Sequence, residues 1–140
     1  MARRTEAYVD TSALIAFGDR SDSYHFLFRR LFSEPPPLLT TALVVTEGHG
    51  WFLKRYDRAR ALQFTAMIEE MEKVEVLEVL AAGPRELHAG ARMLRRFADQ
   101  DLTLVDAMGL QVMAERRTET CWSTDFHLGL TGVPLVIHEG

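Results

Sequence analysis

The chain has 140 residues, of which 47% are hydrophobic and 26% charged, a balance that fits one soluble globular domain over residues 1–140 with enough apolar material for a packed core. Its net charge of −4 at pH 7 argues against a protein that coats nucleic acid without selectivity, although net charge does not describe the local field. The single cysteine, Cys121, excludes an internal disulfide and, in the apolar setting "TCWS", reads as a buried strand residue in a reducing compartment.

In chain order, the opening "MARRTEAYVD" has two arginines but no leader-like apolar run of roughly 7–15 residues and no membrane-spanning stretch. The expectation is a cytoplasmic protein with no membrane association. "AYVD", ending at Asp10, is a candidate first strand, and "SALIAFGD" predicts a helix capped by Thr11 or Ser12 and stopped near Gly18. "SYHFLFRRLF" places apolar residues on one side and Arg29 and Arg30 on the other, predicting a second helix. The proline run in "EPPPLL" cannot continue a helix and reads as a loop feeding the strand "LLTT".

A helix is predicted over about residues 42–55. Another follows in "RARALQFTAMIEEMEK", where Ala61, Phe64, Ile68 and Met71 keep a helical stripe. "VEVLEVL" alternates as a strand does. "PRELHAGARMLRRFA" begins a helix with Pro84 in its first turn, "TLVDAMGLQVMAERR" predicts one more helix, and "TCWST" and "PLVIH" read as closing strands. No internal repeat or low-complexity tract interrupts this order. Strands separated by helices imply an α/β fold: three α/β/α layers around a mostly parallel sheet of about five strands.

In such a sheet, functional groups gather where strands end and helices begin. Asp10 and Asp125 both directly follow predicted strands. Glu47 and Asp106 fall on helices, each on a largely apolar stripe: Glu47 with Val44, Gly48 and Trp51, and Asp106 with Leu102, Leu110 and Met113. Each acid has a plain structural alternative. Asp10 and Asp125 taken alone read more simply as cap or turn residues. Asp106 stands three residues after Thr103, the spacing of a capping box, and Asp101 reads as a helix-start residue or a site neighbour. The set weighs differently. At ~4 Å and an effective dielectric near 20, each like-charged pair costs about 4 kcal/mol, so a few such pairs would consume much of a domain's roughly 5–15 kcal/mol of stability. If the acids converge, a cation holds them, and an all-oxygen donor set suits Mg²⁺ or Mn²⁺.

The strings "YVDTSALIAF", "TEGHG", "DLTLVDAMGLQVMAE" and "CWSTDFHLGLTGVPLV" together resemble the PIN-domain ribonucleases, especially the toxins of VapBC-type toxin–antitoxin pairs. They span nearly the whole chain in the family's order. The resemblance implies a five-stranded parallel sheet, a divalent-metal site of Asp10, Glu47, Asp106 and Asp125, and endonucleolytic cleavage of RNA by metal-activated water. Within that set, metal-ion chemistry points to Asp10 and Asp106 as principal ligands, Glu47 as a ligand through water or a base, and Asp125 as a ligand of a second ion or the positioner of a water. Thr11 or Ser12 would orient Asp10 or a bound water. One departure is visible: the family's "TD-x-x-F" would place a phenylalanine near position 128, where this chain has Phe126 and Leu128, which puts the local loop geometry in question. The resemblance further implies a small antitoxin that blocks the site. A homodimer is expected through the early helices, with "SYHFLFRRLF" and "ALQFTAMIEEM" as interface material.

RNA phosphates require cations around the acids. Candidates are Lys54, Arg55, Arg58 and Arg60, and the group Arg92, Arg95 and Arg96, each of which also reads as a solvated helix face. His25, His49, His88, His127 and His138 show no paired ligand spacing. His127, two residues after Asp125, has the best functional claim among them. Trp51 and Trp122 are expected in the core. Three other functions stay open: a phosphoacceptor or phosphatase with a nucleophilic Asp, a catalytically silent interaction module, and a housekeeping RNA-processing nuclease. Against the first, neither Lys54 nor Lys73 follows a late strand; against the second, all four acids are present.

Overall fold

The computed structural model describes residues 6–138. The expectation of no leader rests in part on residues 1–5, and the ends of the 1–140 domain assignment also lie outside the described residues.

Apolar segments too short for helices become the buried strands. β1 (Ala7–Val9), β2 (Leu38–Thr41), β3 (Leu77–Leu80) and β4 (Thr120–Trp122) form one sheet in the order β3-β2-β1-β4. All the pairings are parallel, with Tyr8 beside Leu39 and Cys121 in the two neighbouring strands. β1 and β2 are buried along their whole length, as expected of strands covered on both faces.

Between the strands run α1 (Thr11–Gly18), α2 (His25–Leu31), α3 (Ala42–Arg55), α4 (Arg58–Lys73), α5 (Pro84–Arg96) and α6 (Leu104–Arg116). The crossovers β1→β2→β3 step in one direction across the sheet, whereas β3→β4 returns past β1 to the other side. Right-handed connections therefore put α1–α4 on one face and α5–α6 on the other, giving the α/β/α layering. Phe28 of α2 packs on Trp122 from one face. From the other, Gly109 of α6 lies against Tyr8, where an added Cβ would come within 2.8 Å of the tyrosine Oη. That close approach packs the second turn of α6 against β1.

The helices follow the sequence pattern closely. The buried stripe of α4 is Ala61, Phe64 and Ile68, and α5 begins at Pro84 as expected of proline in a first turn. Three details differ from expectation. Asp10, not Thr11 or Ser12, occupies the N-cap position of α1, and its side chain makes no capping bond. The strand expected in "VEVLEVL" starts only at Leu77, because Glu75 turns the chain with φ 61°. Among the described residues the sheet has four strands instead of about five: "PLVIH" contributes one parallel bridge, Leu135 to Cys121, and then winds into a 3₁₀ turn over Val136–His138.

Candidate metal centre

β1 neighbours β2 on one side and β4 on the other, and the chain leaves the two edges of that gap in opposite directions. This is the switch point of a parallel sheet, where a crevice opens beyond the carboxyl ends of the strands. Asp10 follows β1 and Asp125 lies just beyond β4, so topology alone brings both to that crevice.

Asp10 is 6% exposed. Its Oδ2 accepts hydrogen bonds from Ser12 Oγ and Ser123 Oγ, both at 3.0 Å. Burial pushes its carboxyl up from 3.8 to about 6; the serine bonds oppose that shift and the nearby Asp106 adds to it. The two serines also set the loop after β4, since Ser12 Oγ accepts from the Thr124 N–H at 3.0 Å and Ser123 Oγ from the Asp125 N–H at 2.9 Å. One polar network thus ties the end of β1 to the loop carrying Asp125. Ser123, fully buried, escaped the sequence reading, because a serine at a strand end carries no periodic signal; its position two residues before Asp125 was the available cue.

Asp106 is half-buried at the third position of α6. The capping box exists: the Asp106 N–H donates to Thr103 Oγ1 at 3.1 Å, and Asp106 Oδ2 accepts from the Thr103 N–H at 3.4 Å. The plain reading and the site reading are therefore both realised, since a capped first turn is what holds this carboxylate at the crevice. Burial raises its carboxyl above the ordinary value, and Asp125 adds to the rise.

Asp125 caps the 3₁₀ turn Phe126–Gly129. Its Oδ1 accepts from the His127 N–H at 3.0 Å and lies 2.9 Å from His127 Nδ1. Asp106, Asp125 and His127 each offer a donor atom, all within 4.8 Å of one another. The imidazole makes this donor set mixed nitrogen and oxygen, in contrast to the all-oxygen expectation.

Glu47 departs from its expected place on an apolar stripe. The buried stripe of α3 is Val44, Gly48 and Phe52, and Glu47, one position off it, is exposed. Thr11 Oγ1 nonetheless donates to Glu47 Oε1, tying it to the first turn of α1 beside Asp10. Asp101 is exposed in the loop before α6 and is outside the three-residue donor group.

Lys54 and Arg55 share one surface depression with Glu47. Arg58 is exposed at the start of α4, and Arg92, Arg95 and Arg96 are exposed on α5. The last turn of α5, with Arg95 and Arg96, leads through a short loop into the first turn of α6 that carries Asp106. Arg60 is occupied differently: its Nη2 donates to the Gly18 carbonyl at 3.0 Å and its guanidinium sits 4.5 Å from the Tyr56 ring centre. His25 is buried, and its Nδ1 lies 2.8 Å from the Ala16 carbonyl oxygen. Trp122 is in the core and Trp51 is partly buried against it.

Among the described residues, no Lys or Arg forms an ion pair with Asp10, Asp106 or Asp125. Asp10 and Glu47 are outside the three-residue donor group, but carboxyls near one crevice, two of them raised above ordinary values and none paired with a Lys or Arg among the described residues, fit a site that takes a metal ion.

The PIN domain family model matches residues 7–128. No curated protein matches the sequence significantly. Among solved structures, the chain is similar to the sarcin-ricin loop cleaving toxin VapC20 of Mycobacterium tuberculosis, with TM-score 0.82, 23% identity, and 93% of this chain and 98% of that one covered. It is also similar to PAE2754 of Pyrobaculum aerophilum, with TM-score 0.61, 20% identity, and 94% and 88% covered.

Proposed function

Because the chain belongs to the PIN-domain family, we propose that it is a divalent-metal-dependent endoribonuclease, and the toxin of a VapBC-type pair. The observation that carries the reading is the group of Asp106, Asp125 and His127 at the switch point of the sheet, with donor atoms within 4.8 Å of one another and Asp10 nearby, the carboxyls of Asp10 and Asp106 raised, and no Lys or Arg among the described residues paired with any of the three acids. The likeness to a toxin that cleaves the sarcin-ricin loop supports RNA as the substrate class.

Asp106, Asp125 and His127 would hold Mg²⁺ or Mn²⁺, with Asp10 beside them. A neutral His127 whose Nδ1–H donates to Asp125 keeps a lone pair on Nε2 for a metal. When bound, such an ion polarises a phosphoryl oxygen and lowers the pKa of a coordinated water. The chain's own groups supply the rest. Ser12 and Ser123 hold Asp10 in one rotamer, and Thr11 holds Glu47 at the rim, where its carboxylate can take a proton from an incoming water. Lys54 and Arg55 beside Glu47, together with Arg58 and the α5 arginines Arg92, Arg95 and Arg96, meet RNA phosphates that the acids would repel.

A small antitoxin would cover the crevice. A homodimer would use α2 and α4, whose exposed Phe26 and Leu62 fall in the two segments expected at the interface. The testing experiment is calorimetric titration of Mn²⁺ and Mg²⁺ into the metal-free protein, its Asp106→Asn variant and its Asp125→Asn variant. The reading requires binding by the wild type that weakens at least about 10-fold in either variant; wild type and variants that all bind no ion sink it.

A further inference from the structure

Core packing leaves Phe126 without a place. It opens the 3₁₀ turn after Asp125 and is 64% exposed, while the inward position of that turn is filled by fully buried Leu128. A lone exposed apolar side chain is ordinary, but this one is organised. Its ring rests on the His127 imidazole, with centroids 4.1 Å apart and planes inclined by 30°. His127 in turn is held to Asp125 through both its backbone N–H and its ring nitrogen. The phenyl ring is therefore fixed relative to the donor group of Asp106, Asp125 and His127. One side of the ring contacts the imidazole, and most of the side chain is exposed.

We propose that Phe126 is a base-stacking platform that seats the nucleobase of an unpaired nucleotide next to the scissile phosphate; this rests on the ribonuclease reading above. An aromatic face accepts any base, and such stacking contributes about 1–3 kcal/mol per base. A base inside a duplex has both faces covered by its neighbours, so the platform selects a loop, bulge or end over a paired stem. Stacking also supplies affinity independent of charge, which matters where carboxylates repel the phosphate backbone.

The test is equilibrium binding of a short unstructured RNA carrying 2-aminopurine, read by its fluorescence, to full-length wild type, Phe126→Ala and Phe126→Tyr in EDTA across a salt series. The expected result is quenching by wild type and Phe126→Tyr. Phe126→Ala should weaken binding about 5- to 150-fold, the equivalent of the stacking energy, with the slope against salt unchanged because no phosphate contact is lost. A fully paired RNA should bind wild type and Phe126→Ala equally. Unchanged affinity and quenching in Phe126→Ala overturn the platform while leaving the nuclease reading intact, and would make the ring a contact for a protein partner. If wild type neither binds nor cleaves RNA, the nuclease reading fails and the platform with it.

Discussion

Replacing Asp10 by Asn should stabilise the metal-free protein at neutral pH. The unfolded carboxyl titrates near 3.8 and the folded one near about 6, so the folded state holds that proton more tightly. At ~1.4 kcal/mol per pH unit, ionising Asp10 in the fold costs about 3 kcal/mol. The sign follows from linkage: the penalty is fully present above pH 6 and vanishes as pH falls through about 6 toward 3.8. Asn removes the charge yet keeps an oxygen to accept from Ser12 and Ser123. Urea unfolding in EDTA should therefore show Asp10→Asn more stable than wild type by about 2–3 kcal/mol at pH 7.5, with the gap narrowing to about 1 kcal/mol at pH 4.5. Saturating Mn²⁺ should narrow or reverse the gap, since a cation held beside Asp10 favours its ionised carboxylate and so stabilises the folded wild type by mass action more than the variant. A variant no more stable than wild type at pH 7.5, or a gap that ignores pH, would refute the claim that Asp10 is a buried charge awaiting a cation.

Other consequences follow from the same geometry. Gly48→Ala should destabilise by about 1–2 kcal/mol, because the new Cβ would lie 2.4 Å from the tightly packed Phe64 ring and overpacking outweighs the gain in helix propensity. Gly50→Ala, two residues on with nothing within 4 Å, should stabilise by about 0.5–1 kcal/mol; equal signs for the two in urea melts would contradict the α3–α4 packing. Ser123→Ala removes a donor to the ionised Asp10 and should raise its carboxyl further, moving the acid limb of the pH–rate profile to higher pH, whereas no movement or a move to lower pH would count against the network. His127→Ala should weaken Mn²⁺ binding about 10-fold or more and Mg²⁺ binding less, because imidazole is not a preferred ligand of Mg²⁺. Unchanged affinity for both ions by calorimetry would remove the imidazole from the donor set.

The sequence shows its regular parts through pattern. α4 spans the residues its apolar stripe marks, and the Thr103–Asp106 spacing is a real capping box. Asp10 and Asp125 were visible as acids after apolar strands, a signal that needs only the rule that parallel strands deliver their functional groups at one edge. What was hidden depends on side-chain direction or on partners distant in sequence. Glu47 is one position off the buried stripe of α3, a rotation of about 100° that pattern reading cannot resolve at a helix whose phase is set by Phe64 packing on Gly48. His127 gains weight only because the capped first turn of α6 brings Asp106 to it from another element. "PLVIH" has the composition of a strand, yet only Leu135 meets β4 before the chain turns away.

The central claim is tested most directly by incubating the purified protein with a labelled mixture of total tRNA and structured RNAs, in Mg²⁺ or Mn²⁺ against EDTA, with Asp106→Asn alongside. The account predicts discrete cuts that require the metal, disappear in EDTA and are lost in the variant. Cleavage that persists in EDTA or in Asp106→Asn would contradict it, as would an inert wild type under every divalent condition.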